Sequence, residues 1–340
     1  MRSHEFYQSH LEAVSRSFAL CIPQLEAPFG PRVALSYLLL RVLDTVEDAA
    51  FPDKSLQQRQ FNAFRQLLAN RPGVAQIDAF RSSFPAGITE GERNLLADTE
   101  AFVEDYHQLP AAARGIVFSA IDRMAQGMAG YARRSQPLRL VDLEDVSRYC
   151  CIVAGLVGEL LTRLWALGGE TAPPMLLAYR FGLFLQKVNI LKDQAEDEAV
   201  GRFLVPDRRE ILSSLRADAE GALSYLTSLP TREHGYRVFC AWSLMLGADA
   251  LAQMDGPRES RRAQTMALLG RTAEIAQDDE ALRRQFAELL PRFPEVRVRP
   301  PLAKPEPPDW FVRTLDAPLS EDDLIEVGAL HAQARAVAAN

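Results

Sequence analysis

The sequence predicts an all-α fold, a bundle of long helices, from three observations. Apolar residues recur at helical spacing through residues 31–49, 93–107, 114–133, 143–167, 174–198 and 235–254. Alternation with a period of two, the mark of a half-buried strand, is scarce. The connections between the periodic segments are short, as expected when neighbouring helices pack against one another.

Taken in order, the segments are separated by turn signals at Pro23 to Pro31, Pro72 to Pro85, Gly168 to Pro174, Pro206, and Pro230 to Gly235. The last periodic segment is followed by a stretch from Pro291 to Pro318 that carries eight prolines, which exclude helix interior and favour an extended path. Ser320, with acidic residues behind it, reads as the cap of a terminal helix. The expected organisation is therefore a catalytic domain over 1–290, a proline-rich extended segment over 291–319 and a C-terminal helix over 320–340.

Composition narrows the function classes. Hydrophobic residues make up 48% of the 340 residues and charged residues 24%, the profile of a soluble globular protein. A net charge of −7 argues against a general nucleic-acid binder, whose affinity rests on a basic surface. Cys21, Cys150, Cys151 and Cys240 show neither a CxxC pair nor metal-ligand spacing, which favours a reducing cytoplasm over a disulfide framework or a zinc site. No signal peptide, GxGxxG turn after a strand, or GxxxxGK[ST] loop is present, so the common backbone cradles for nucleotides are missing.

Two acidic constellations carry the chemistry. In VALSYLLLRVLDTVEDAA, Tyr37, Arg41, Asp44 and Asp48 follow at helical intervals with Glu47 alongside, and line one stripe. In FGLFLQKVNILKDQAEDEAVGR, Asn189, Asp193 and Asp197 repeat every four residues with Glu196 beside them. A single DxxED is more often a solvated helix face. Here both copies sit on segments that are apolar nearly all round, as in buried helices, where unpaired carboxylates are costly. Clustered carboxylates need cations, and magnesium suits them because it takes one or two carboxylates and fills its other positions with water and phosphate oxygens.

With these motifs in view, the sequence resembles the squalene/phytoene synthase family, on its squalene synthase side. The resemblance covers roughly residues 7 to 270 and includes SRSFAL from Ser15, YLLLRVLDTVED from Tyr37, RMAQGM from Arg123, YCCIVAGLVG from Tyr149, LQKVNILKDQAED from Leu185, and the pair Gly201 and Arg202. It implies the prenyl-synthase helical bundle with a central cavity. By that resemblance Asp44, Glu47, Asp48, Asp193, Glu196 and Asp197 hold Mg2+ against diphosphate, and Arg41 and Arg202 contact phosphate. Ser15, Ser17, Tyr37 and Asn189 orient diphosphates or cofactor, and Tyr149 handles the proton of the first half-reaction. Phe239, in the matching FCA, and Arg261 and Arg262 are assigned to NADPH.

Plainer readings stand beside these. Tyr37 and Tyr149 could be ordinary buried tyrosines, Arg41 could pair with a carboxylate one turn on, Arg202 could lie in a turn, and Asn189 could cap a neighbouring helix. Gly155 and Gly158 are read as helix-packing residues, without chemistry. Phe18, Phe181 and Phe184 are more often core than cavity wall.

The implied reaction is head-to-head joining of two farnesyl diphosphates through presqualene diphosphate to squalene, with NADPH as reductant. Alternatives are a synthase that stops at presqualene diphosphate, a dehydrosqualene or phytoene type without reductant, and a noncatalytic prenyl-diphosphate binder. The family's FCAIPQ segment keeps only FCA here, at Phe239 to Ala241, which weakens the reductive step. The hydrophobic C-terminal anchor of the family's eukaryotic members is not seen here, which implies a bacterial-type soluble enzyme; with the cytoplasm read from the cysteines, an insoluble product would suit peripheral membrane contact.

Overall fold

Helices form wherever the apolar period demanded them, and side chains close their ends. Ser3 accepts from the Phe6 amide at the start of the His4–Val14 helix, Asp53 from Ser55 before Lys54–Ala69, and Thr89 with Glu92 makes a capping box before Glu90–Ala97. The structure, a computed structural model, describes residues 1–15, 17–134, 137–254 and 262–290. Arg261 and the 291–319 and 320–340 segments lie outside the described residues. Among the described residues the only strands are Leu138–Arg139 and Arg202–Phe203, paired in parallel.

The chain divides into two compact units. One comprises Met1–Arg134 with Arg163–Thr171. Its centre is the Phe29–Asp48 helix, whose Leu35, Leu38, Leu39, Val42, Leu43 and Val46 are fully buried. Burying a side chain of that size stabilises by about 1.5–3 kcal/mol, so this row dominates the core of the unit. Lys54–Ala69, Thr99–His107 and Ala111–Ala132 pack around it.

The other unit comprises Ser135–Thr162 and the described residues from Ala172 onward. Its central helix is Met175–Lys192, packed against Arg208–Ser228 and against the segment after Tyr149. That packing needs glycine. A Cβ on Gly158 would stand 2.1 Å from the Ala178 carbonyl oxygen, and one on Gly182 would stand 2.3 Å from that of Ala154. The close approach bears out the packing role read for Gly158, and a π-helical turn at Cys151–Gly155 accompanies it. Gly155 takes the same role, facing the ring of Tyr179.

Three boundaries differ from the sequence reading. The stretch between Pro72 and Pro85 contains a helix, Val74–Ser82; the prolines bracket it rather than mark one long turn. The 93–107 segment is two helices, broken at Asp98, whose carboxylate lies 3.0 Å from His10 Nε2. The 174–198 segment breaks at Asp193, within the second acidic motif. The stretch Leu143–Ala166 is long and apolar enough to cross a membrane by composition, yet 61% of its most apolar window is buried in the folded chain. That burial matches a core helix.

Candidate active site

In the first unit, one helix places the whole first motif. Tyr37, Arg41, Asp44 and Asp48 rise along one face of Phe29–Asp48 toward its C-terminus. Arg41 Nη1 donates to Asp44 Oδ2 at 2.9 Å, so the local pairing weighed for this arginine is realised. Its Nε, also buried, has no hydrogen-bond partner among the described residues, which leaves a donor for an anionic oxygen. Burial opposes the charge of Arg41, but the neighbouring Asp44, Tyr37 and Asp48 outweigh it and hold the guanidinium's pKa above its usual value. Burial raises the Tyr37 phenol, against a hydrogen bond with Ser15 and the Arg41 charge. Ser15 also accepts from the Phe18 amide, and the Phe18 ring lies 5.0 Å from that of Tyr37. Ser17 is exposed at the start of the Phe18–Cys21 helix.

The carboxylates themselves are less buried than their helix. Asp44 and Glu47 are half-buried and Asp48 is exposed. The acidic end therefore emerges where water or a cation can reach it, a correction to the picture of carboxylates sunk in a core. A residue not foreseen from sequence fixes this end: the Gln57 amide, almost fully buried, donates to the carbonyls of Val46 and Glu47 at 2.9 Å each. It satisfies carbonyls that a helix end leaves unpaired.

In the second unit the motif is assembled from several elements. Asp193 stands between Met175–Lys192 and Gln194–Ala199, yet its amide donates to Asn189 O at 2.8 Å and its carbonyl accepts from the Asp197 amide at 2.9 Å. The four-residue repeat thus continues through the break. Asp193 and Asp197 are half-buried, while Asn189 and Glu196 are exposed. Lys192 Nζ lies 3.3 Å from Asp193 Oδ2.

Gly201, with φ of +82°, turns the chain from the short helix into the Arg202–Phe203 strand, a conformation suited to glycine. Arg202 is consequently in a strand rather than a turn. Its Nη2 donates to the Tyr149 hydroxyl at 2.7 Å and its Nε lies 3.9 Å from Asp197 Oδ1. Tyr149, on Leu143–Cys150, is 1% exposed. Tyr149, Arg202 and Asp197 thus form one connected group from three elements, which residue spacing could not reveal.

A buried ionic group backs this half. Lys187 Nζ, one helix turn before Leu191, lies 2.6 Å from Asp218 Oδ2 and 3.0 Å from Ser214 Oγ, and Arg180 Nη1 meets Asp218 Oδ1 at 3.1 Å. It ties the motif-bearing helix to Arg208–Ser228. A lysine inside the apolar run FLQKVNIL was the available signal.

Among the described residues no three His, Cys, Asp or Glu side chains converge as a metal cage. Carboxylates at the accessible ends of both motifs fit magnesium, which keeps waters and needs only one or two protein oxygens at a time. The residues assigned to NADPH fit less well. Phe239 is 3% exposed on His234–Ala252, its ring 6.1 Å from that of Tyr236, and offers no surface to a nicotinamide. Arg262 is exposed at the start of Arg262–Glu274. Phe181 and Phe184 are buried core residues.

The squalene/phytoene synthase family model matches residues 11–271. A squalene synthase of Ganoderma lucidum is 36% identical over 211 residues, covering 59% of this chain and 42% of its own. One of Schizosaccharomyces pombe is 31% identical over 276 residues, covering 71% of this chain and 57% of its own. The chain thus spans about half the length of these curated relatives. Among solved structures, a ligand complex of TcSQS superposes with a TM-score of 0.69 at 23% identity, covering 96% of this chain and 98% of that one. A dehydrosqualene synthase complex gives 0.53 at 17%, covering 79% and 95%.

Proposed function

The chain belongs to the squalene/phytoene synthase family, and from that premise we propose that it joins two farnesyl diphosphates head to head through presqualene diphosphate to squalene. The observation that carries this reading is the Arg202 guanidinium, which links the Tyr149 hydroxyl at 2.7 Å to the Asp197 carboxylate at 3.9 Å. One cation thereby couples a proton-handling tyrosine to a diphosphate-binding motif.

Asp44, Glu47 and Asp48, with Asp193, Glu196 and Asp197, would hold magnesium ions. When bound, magnesium supplies the positive charge that makes diphosphate a competent leaving group. Arg41 offers its open Nε to a phosphate oxygen, and the fixed fork of a guanidinium suits that contact. Tyr37 and Ser15 orient the diphosphate beside it.

The allylic cation left behind is captured by the second farnesyl double bond. Closing the cyclopropane releases a proton, which Tyr149 handles at its phenol oxygen while Arg202 offsets negative charge there. Tyr149 is shielded from bulk solvent, so water does not compete for the cation at that point.

The reduction that ends at squalene is proposed with NADPH on family grounds, and no residue of this chain is given a part in it. The burial of Phe239 favours, as a second reading, a synthase that releases presqualene diphosphate. A cytoplasmic location with peripheral membrane contact suits an insoluble product. The direct test is diphosphate release from farnesyl diphosphate by the purified protein. Release that requires magnesium is expected; binding without release would make the chain a prenyl-diphosphate binder instead.

A further inference from the structure

Away from both acidic motifs, the first unit carries a cleft of about 570 Å³ lined by Tyr106, His107, Arg71, Arg114, Gly115 and Phe118, among others. Gln57, near one end of the Lys54–Ala69 helix, holds the first motif, while Leu68, at the other end, borders the cleft. Eleven residues of helix put the two roughly 16 Å apart.

The two arginines converge on a single acceptor. Arg71 Nη2 and Arg114 Nη1 both reach the His107 carbonyl, at 3.4 and 3.3 Å, and Arg114 Nη1 also reaches that of Leu109 at 3.4 Å. These bonds are long. Among the described residues both guanidiniums bond to carbonyls and neither meets a carboxylate, although the protein as a whole carries a net charge of −7. Two like charges held side by side repel one another and favour an anion between or above them.

Two further observations point to the same ligand. Tyr106 is 2% exposed and lines the cleft beside the Arg114 charge. Burial pushes its pKa up to about 12, against the Arg114 charge, so it is a donor at neutral pH. The Ala111–Ala132 helix begins at the cleft without a side-chain cap, leaving its first-turn amides toward an acceptor. Phe118 supplies an apolar wall, and above Gly115 the space is open, since a Cβ there would meet nothing within 4 Å.

We propose that this cleft is an anion-binding site separate from the acidic motifs, taking a phosphate or diphosphate group attached to an apolar substituent. The proposal does not rest on the family reading. Its probe is inorganic diphosphate, titrated calorimetrically in EDTA so that divalent metal is removed. The titration compares the full chain with the double variant Arg71→Gln/Arg114→Gln, with Gly115→Glu, and with Arg59→Gln, an exposed arginine of the Lys54–Ala69 helix, as control. Gly115→Glu puts a carboxylate into open space beside the guanidiniums at the acid-tolerant start of a helix, so the fold is retained and a thermal melt verifies it.

Salt-sensitive binding is expected in the parent protein and in Arg59→Gln, with affinity at least about tenfold weaker in the other two variants. Unchanged affinity in the double variant, or an equal loss in Arg59→Gln, overturns the proposal. A parallel sedimentation with phosphatidic acid vesicles, against phosphatidylcholine, separates a lipid headgroup from a soluble ligand. Capture dependent on Arg71 and Arg114 assigns the headgroup, diphosphate binding alone assigns the soluble ligand, and binding in neither assay overturns the site.

Discussion

The two acidic motifs solve one problem in different ways. The first lies on a single unbroken helix, where Arg41 pairs with Asp44 three residues on and Gln57 and Ser15 are lent by neighbouring elements. The second spans a helix break at Asp193 and recruits Arg202 from a strand and Tyr149 from a helix 53 residues before it. A self-contained motif can bind and hold charge; a motif wired to a buried tyrosine can also move a proton. The difference assigns anchoring to the first and chemistry to the second.

The largest expected effect ignores this division. Asp44→Ala and Asp193→Ala each remove a carboxylate proposed for magnesium, and diphosphate release should fall by about 10³-fold or more in both, with helicity by circular dichroism unchanged. Full activity in either variant would remove that motif from the metal assignment.

The next effect separates the motifs. Arg202→Gln and Tyr149→Phe should each lower the rate of presqualene diphosphate formation by about 10²-fold, and the double variant should be little worse, because the two groups act together. Arg41→Gln should mainly raise KM, by about tenfold. Steady-state kinetics on the three variants read this split, and a pure kcat effect at Arg41 would erase it.

Stability sharpens the contrast. Lys187→Met leaves Asp218 buried beside Arg180 alone and should cost about 3–5 kcal/mol in chemical denaturation, with most of the loss recovered in Lys187→Met/Asp218→Leu. An unchanged midpoint in the single variant would make the ion pair dispensable.

The smallest effect is on pH dependence. Burial would raise Asp105, but the bonds from Tyr7 and Arg2 win and hold its carboxyl below the usual value. Its contribution to the first unit is therefore present above the unfolded carboxylate pKa and lost as pH falls through the lower folded one. Burial pushes the Cys150 thiol of the second unit up to about 12 from 9.0. The folded state then holds the proton longer, so stability falls as pH rises through that window. Asp105→Asn should flatten the acid limb of a Tm profile and Cys150→Ala the alkaline limb.

What the sequence made legible follows the same line between local and distant. The long helices were readable because a buried face imposes its period, and both acidic repeats were readable because their spacing is itself helical. The Val74–Ser82 helix escaped because the prolines on either side looked like one turn. The break at Asp193 escaped because the four-residue repeat runs through it, as the Asn189 and Asp193 carbonyl bonds explain. The bond between Arg202 and Tyr149 depends on how Gly201 redirects the chain, which no spacing encodes. Lys187 stood in plain sight inside an apolar run, but its partner Asp218 lies 31 residues away.

Product analysis of the purified protein with farnesyl diphosphate and magnesium, with and without NADPH, tests the account most directly. Presqualene diphosphate without NADPH and squalene with it are the expected products. Absence of any condensed product under both conditions, from protein that is folded and binds magnesium, would contradict the account.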